Sequence, residues 1–586
     1  MSTTSTPRVG PQRDRTSEPR YGGTLRLLGP GGVDHLDTAS AYYATSGQVL
    51  RALTRQLFAY PAADDLSDPG AAFTPVADIA AEVPTRENGG ISPDRCTYTI
   101  RLRTDVFWDS DPPRAVTAPD FVRGLKRLGN PVTGAGAIGY FTSTIKGMRE
   151  YCAGYARAFA DRPPTPEALA GFQDTHDIPG VRAPDDRTLV FELIRPAGDF
   201  LNILAMGFAS AAPREYDALL PDSTEFRENL RSNGPYRMER YVDGGREMRF
   251  GRNPVWRRES DPVRGQYVDA IEISASAEPA EVIRRKLDAS EIDLAWSFTA
   301  VSWAKVPPGR DAARRSFPGY ALNPYLVFNL RSPNAGGALR SAGVRRAIGY
   351  AVDKAAVGEI LSVLDAPNKP LGSVIPPGSA GYRGYDPYPT PGHRGDPDTA
   401  RRLLVEAGYG NGFTLIAAVR KIGIHLKVME SVAADLEKIG VTLIVNTYGQ
   451  AEYYGSLLSD PAKGAAGLWD IAEPGWTPDW FGNNGRAVIQ PLFATNALSG
   501  TTNYGGYSDP EVDRLIDEAL RADDPVRAED LWHRVDVKVM EDLPVVPILA
   551  FAAMTSRYHS PRVRHAVHVP QIEFFDITNL WLDPVR

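Results

Sequence analysis

Apolar residues recur along the chain with two periods, about 3.6 and about 2, and each predicts a different element. Between Gln48 and Tyr60, residues Val49, Leu50, Leu53, Leu57 and Phe58 fall on one stripe, which predicts an amphipathic helix over 48–60. From Thr97 to Arg103 the polar Thr97, Thr99, Arg101 and Arg103 alternate with Tyr98, Ile100 and Leu102, as in a half-exposed strand. Thr117 reads as a helix cap, with Pro119 in the first turn and Asp120 at the third position beyond the cap. The stretch Tyr140 to Phe172 is helical and aromatic (Tyr140, Phe141, Tyr151, Tyr155, Phe159), with the loop RPPTPEAL interrupting it. RTLVFEL then reads as a strand.

The second half repeats these signals. EPAEVIRRKLDASEIDLAW predicts a helix followed by a buried strand, and Tyr325–Leu330 predicts a compact strand. Val344, Ala347, Ile348, Ala351 and Val352 form one helical face. Asp396 caps a helix whose aliphatic face ends at Gly408. A helix over Val428–Gly440 followed by the strand VTLIVNTY suggests a βαβ lobe. WDIA, at Trp469–Ala472, has the apolar character of a short buried strand, and it breaks at Pro474–Gly475 and Pro478.

Composition narrows the class of protein. A chain of 586 residues exceeds what one core organises, so roughly two to four domains are expected. The 72 acidic against 65 basic side chains give a net charge of −7, and no Lys/Arg-dense block occurs, which argues against nucleic-acid binding. The two cysteines, Cys96 and Cys152, supply neither a disulfide framework nor a metal-finger spacing; one bridge and two separate thiols both stay open. No apolar run approaches the roughly 18 residues a membrane span needs. Residues 1–20, MSTTSTPRVGPQRDRTSEPR, are polar, carry no apolar core of a secretory signal and no cysteine for a lipid, and read as a disordered tail.

Catalytic constellations are not legible: GxSxG, HExxH, a P-loop and paired CxxC are all missing from the sequence. The glycine-rich GPGGVDH follows a strand into a turn rather than a helix, which argues against a phosphate cradle. His559, His565 and His568 lie close together in a segment without a helix signal, where surface or hydrogen-bonding roles outweigh a metal site. The stretch that stands out is WDIAEPGWTPDWFGNN, in which Trp476 and Trp480 bracket a single carboxylate, Asp479. A strand that stops in a Pro/Gly turn carrying aromatics and one acid suits the rim of a ligand cleft. It equally suits a tryptophan core beside a solvated Asp.

The ordered set of motifs resembles one family. GGTL followed by Leu36–Asp37–Thr38–Ala39, then CTYTIRLRTDVFWDSDPPRAVTAPDFVRGLKRL, Ser232–Asn233–Gly234–Pro235–Tyr236, VRRAIGYAVDKAAV, DPDTARRLLVEAGYGNGFTL and WDI…GWTPDW run in consistent order from about Tyr21 to Asp583. Together they are similar to the dipeptide/oligopeptide-binding solute-binding proteins of ABC transporters, family 5, cluster C. Ser110 departs from the glycine of that family's "F-h-D-G" turn.

The resemblance implies an α/β periplasmic-binding-protein-like fold of type II: two lobes joined by hinge strands, with Tyr325–Leu330 as a hinge crossing and an extra α+β domain inserted in the first lobe. The expected division is a tail at 1–20, lobe I at 21–65, inserted domain at 66–228, lobe I again at 229–322, lobe II at 323–550 and a lobe I return at 551–586. It further implies a non-catalytic, monomeric receptor without cofactor that passes oligopeptides or similar ligands to an ABC permease and ATPase. Asp479 would meet a peptide's ammonium, and Arg420 and Lys421 its carboxylate. Trp476, Trp480, Tyr42 and Tyr43 would line the walls, or the tyrosines would pack beneath the LDTA turn. Members act outside the membrane, free or lipid-anchored, so the missing signal leaves two expectations: an export segment absent from this version of the chain, or a cytoplasmic protein on the same scaffold, repurposed as an enzyme or carrier.

Overall fold

The computed structural model describes residues 18–62, 72–161, 163–296, 320–362, 368–495, 502–522, 524–552 and 558–584. The tail up to residue 17 and the expected boundary at 65/66 lie outside these residues.

The first lobe is built on a sheet ordered Leu294–Ala295, Thr24–Gly29, Ala270–Ala275, Glu247–Arg252, Tyr236–Val242. Thr24–Gly29 runs parallel to both of its neighbours, so its Leu25 and Leu27 are buried at the centre of the lobe. Helix Ala44–Leu53 lays Val49, Ala52 and Leu53 into the same core. Phe575, Ile577 and Leu580 return to it from the far end of the chain, so both ends of the described sequence share one lobe.

That helix is shorter than the predicted 48–60. Thr54 is extended (φ −127°, ψ 148°) and its hydroxyl caps Leu50 O at 2.9 Å. Arg55 is then drawn inward to Asp78 at 2.8 Å. The chain continues extended, so Leu57 and Phe58 fill the core of the inserted region instead of extending the helix stripe. Buried charge overrides a stripe that was read correctly only as far as Leu53.

The inserted region packs the antiparallel strands Thr97–Arg101, Thr188–Glu192 and Val181–Asp185 against helices. Among these helices is Ala118–Arg127. Its capping box forms as the sequence suggests: Thr117 and Asp120 bond each other's backbone. Asp120 also takes the Trp108 indole N–H at 3.2 Å and Arg114 at 3.0 Å, so Trp108 packs under the cap.

The second lobe carries a sheet ordered Val441–Tyr448, Phe413–Arg420, Ile471–Ala472, Tyr325–Phe328, Val545–Pro547. Helix Gly423–Glu437 crosses between the parallel strands Phe413–Arg420 and Val441–Tyr448, burying Val428, Met429, Val432 and Leu436. This is the expected βαβ unit.

Two sequence readings shift. The helix that carries the face Val344, Ala347, Ile348 and Ala351 ends at Ala351, one residue short of Val352, and the Asp353 carboxylate then accepts from Ala356 N at 2.7 Å and starts a new helix, Lys354–Leu361. Tyr325–Phe328 is buried throughout and antiparallel to both Ile471–Ala472 and Val545–Pro547, which makes it a strand of the second lobe rather than the crossing. The crossing pair is Tyr320–Leu322 with Leu549–Ala552, antiparallel and adjacent. The architecture is two α/β lobes joined by paired strands, with an α+β region inserted in the first.

Candidate functional site

The turn after strand Ile471–Ala472 is pinned to the crossing. Trp476 N donates to Leu322 O at 2.8 Å, and Leu322 N returns a bond to Trp476 O at 2.9 Å. Gly475 lets this approach happen, since a Cβ there would lie 2.5 Å from the Asn323 side chain. Asp479, three residues on, is thereby held at the seam between the lobes.

Asp479 Oδ2 accepts the Tyr140 hydroxyl at 2.7 Å and the Tyr42 hydroxyl at 3.0 Å. Among the described residues it makes no ion pair. Burial strips water from the carboxylate while only two hydroxyls answer it, and its pKa is pushed up to about 7. The same burial, together with the nearby carboxylate, holds the Tyr42, Tyr60 and Tyr140 hydroxyls well above their ordinary pKa.

A cavity of about 160 Å³ opens beside Asp479, walled by Tyr42, Tyr43, Tyr60, Met206, Phe208 and Ile572. The other charged residues on its lining are Arg51 and Arg264. Both are occupied: Arg51 pairs with Asp576 at 2.9 Å, and Arg264 with Asp78 at 2.7 Å and Asp261 at 3.3 Å.

The two tryptophans serve different cores. Trp480 is fully buried, donates its indole N–H to Asn483 O at 2.9 Å and packs on Tyr140 at 4.9 Å, within the inserted region's cluster. Trp476 is 7% exposed, donates to Ala487 O at 2.9 Å and stands edge-on to Tyr42 at 6.4 Å. Tyr43 reaches across to Gln450 O at 3.1 Å and meets the Tyr454 ring edge-on at 6.5 Å.

Arg420 and Lys421 part company. Arg420, the last residue of strand Phe413–Arg420, lies over the rings of Tyr453 and Tyr454 at 6.0 and 5.7 Å, while Lys421, just past the strand, is exposed. Lys421 lies on neither the cavity wall nor the tyrosine cluster, which departs from the expected carboxylate pair. Arg420 already faces an anion: its Nη2 is 3.4 Å from buried Glu473 Oε2. His425 Nδ1 completes the group, 3.0 Å from Arg420 Nη2 and 3.1 Å from Glu473 Oε1. Burial and the adjacent guanidinium lower the His425 pKa.

Sequence reasoning left out Tyr60, Tyr140, Glu473 and His425. Glu473 stood inside the singled-out WDIAEPGW stretch, whereas nothing local marks Tyr140 as a partner of an acid 339 positions away. A further pair braces the seam: Arg486 Nη1 lies 3.1 Å from Asp199, and Nη2 donates to Tyr140 O at 3.1 Å. Cys96 and Cys152 are both unpaired, and burial pushes the Cys152 thiol up to about 12. Among the described residues no group of three or more His, Cys, Asp or Glu is placed to hold a metal ion, and no helix is long and apolar enough to cross a membrane.

Residues 74–496 match the sequence model of the bacterial extracellular solute-binding proteins, family 5 (middle). The dipeptide-binding protein of Escherichia coli K12 is 26% identical over 476 residues, covering 79% of each chain. The periplasmic oligopeptide-binding protein OppA of Salmonella typhimurium LT2 is 23% identical over 455 residues, covering 77% of this chain and 76% of its own. Among solved structures, a clavulanic acid biosynthesis oligopeptide binding protein 2 superposes with a TM-score of 0.75 at 25% identity over 96% of both chains.

Proposed function

The chain belongs to the bacterial extracellular solute-binding proteins of family 5, and from that premise we propose that it is a non-catalytic receptor for an amine-bearing solute such as a peptide. The observation that carries this is Asp479: a carboxylate at the seam of two lobes, beside a cavity, with two hydroxyl donors and no cation among the described residues. Burying a charge costs several kcal/mol unless an opposite charge meets it, so the site is completed by a ligand's ammonium. The lobes close on the ligand by bending at the paired crossing strands, and the walls of Tyr42, Tyr43 and Trp476 exclude water from it.

The closed form is what an ABC permease and its ATPase would recognise, with the receptor acting as a monomer. It works on the outer side of the cytoplasmic membrane, lipid-anchored or free in a periplasm. Among the described residues no side chain near Asp479 supplies a nucleophile–base pair, which supports transfer of the solute unaltered.

The test is mass spectrometry of ligand retained by the purified protein, before and after prolonged incubation. Recovery of one unaltered amine-bearing solute is the expected result. Protein-dependent appearance of cleaved or cyclised product would overturn the receptor reading.

A further inference from the structure

The cavity beside Asp479 is walled mainly by rings and aliphatic side chains that three separate stretches of chain bring together. Leu50 comes from helix Ala44–Leu53, Met206 and Phe208 from the inserted region, and Val569 and Ile572 from the chain's return to the first lobe. Leu50, Phe208 and Val569 are buried, and Met206 and Ile572 are half-buried. Asp479 reaches the cavity from the second lobe, whereas the other described lining residues belong to the first lobe and its inserted region.

Several polar groups of the lining already have partners. The Tyr60 hydroxyl donates to Asn202 Oδ1 at 2.7 Å, and the Gln56 and Gln571 amides donate to Ser210 Oγ at 3.0 Å and Ala72 O at 3.2 Å. Arg51 and Arg264 face the carboxylates of Asp576 and Asp78 at 2.9 and 2.7 Å. A side chain that enters gives up its water for rings and methyl groups, which favours an apolar group and penalises a charged one. Volume sets the upper limit, because about 160 Å³ is the space of one benzene-sized group (~150 Å³).

We propose that this cavity selects the side chain next to the ligand's ammonium: the solute is a peptide whose first residue is uncharged, apolar and of leucine to phenylalanine size. This rests on the reading of Asp479 as the ammonium anchor and adds the side chain that travels with it. In a peptide's first residue the side chain leaves the carbon that bears the nitrogen. An ammonium held by Asp479 therefore sets that side chain at the cavity Asp479 lines. Such a residue touches the first lobe and the inserted region through its side chain and the second lobe through its ammonium, so filling the cavity favours the closed arrangement.

The test is calorimetric titration of the ligand-stripped protein at pH 7.5 with tripeptides X-Ala-Ala, X being leucine, phenylalanine, alanine, tryptophan, lysine or aspartate. The leucine and phenylalanine peptides are expected to bind at least about tenfold more tightly than the other four. In Met206→Glu, which sets a carboxylate in the wall, the gap between the leucine and lysine peptides should narrow to within about threefold. Affinity independent of X, tighter binding of the lysine or aspartate peptide, or an unchanged gap in Met206→Glu would overturn the inference. So would failure of the whole series to bind. N-acetylated Leu-Ala-Ala separates this inference from the reading it rests on. Loss of binding on acetylation without dependence on X would strike the cavity and leave the Asp479 anchor, whereas binding unaffected by acetylation would overturn both.

Discussion

The Tyr140 hydroxyl donates to Asp479 Oδ2 across 2.7 Å, joining a helix of the inserted region to the turn that leaves the second lobe's sheet. The two residues come from opposite sides of the seam. The bond also poises the carboxylate, because a hydroxyl donor favours the ionised form against the cost of burial.

Tyr140→Phe removes one of the two donors and keeps the ring packed on Trp480. Binding of an amine ligand should weaken by about 1.5–3 kcal/mol, the range for a hydrogen bond to a charged group. Calorimetry of wild type and variant measures this directly. An unchanged affinity would place the bond outside the binding event.

The acid's elevated pKa sets a pH dependence. A cationic ligand needs ionised Asp479, so affinity for an amine ligand should fall about tenfold per pH unit below about 7 and level off above it. The amine stays protonated across this range. The neighbouring Tyr42, Tyr60 and Tyr140 are uncharged there, and Arg486, over the Tyr140 ring, pairs with Asp199 at 3.1 Å. Asp479→Asn should abolish the slope; an equal slope in the variant would assign it to another group.

Stability of the ligand-free protein carries the opposite sign. Between an ordinary carboxylate pKa near 4 and about 7, the folded state keeps a proton on Asp479 that the unfolded chain has released. Stability from this group is therefore full at low pH and is lost as pH rises toward about 7. Asp536, buried and likewise pushed up to about 7, adds a slope of the same sign. Thermal melts at pH 5 and pH 7.5 should show a smaller drop for Asp479→Asn than for wild type, and an equal drop would contradict the assignment.

Arg486 is 2% exposed and bridges Asp199 and the Tyr140 carbonyl. Arg486→Met strands a buried carboxylate and should cost about 3–5 kcal/mol, read as a lower midpoint in urea. A midpoint within error of wild type would mean that the seam is not braced here.

Trp480, with no exposed surface, belongs to the inserted region's core although its sequence neighbours belong to the second lobe. Trp480→Ala should destabilise by about 3–5 kcal/mol. A normal melt with lost binding would instead make Trp480 a wall of the ligand cavity.

The sequence made local features plain where one residue type answers a nearby backbone. The Thr117–Asp120 capping box, the Asp396 cap and the βαβ unit ending at Tyr448 all follow from spacing within a few turns. The acid of the site was legible too, as a lone carboxylate in an aromatic Pro/Gly turn. Its surroundings were not. Whether Arg420 is free or committed depends on Glu473 and His425, 53 and 5 positions away, and Lys421 differs because the strand ends at Arg420. Helix 48–60 was overdrawn for a related reason: Arg55 seeks Asp78 and Ser260, and periodicity carries no information about that. Long-range charge pairing decided both the site and the helix end.

The most direct measurement is calorimetric titration of Asp479→Asn with the solute recovered from the wild-type protein. The substitution keeps the size and both tyrosine neighbours and removes only the charge. Binding should weaken by about 2–5 kcal/mol relative to wild type, the loss expected when one partner of a buried charge pair is neutralised. An affinity equal to that of the wild type would contradict the account, since the solute would then be held without the carboxylate.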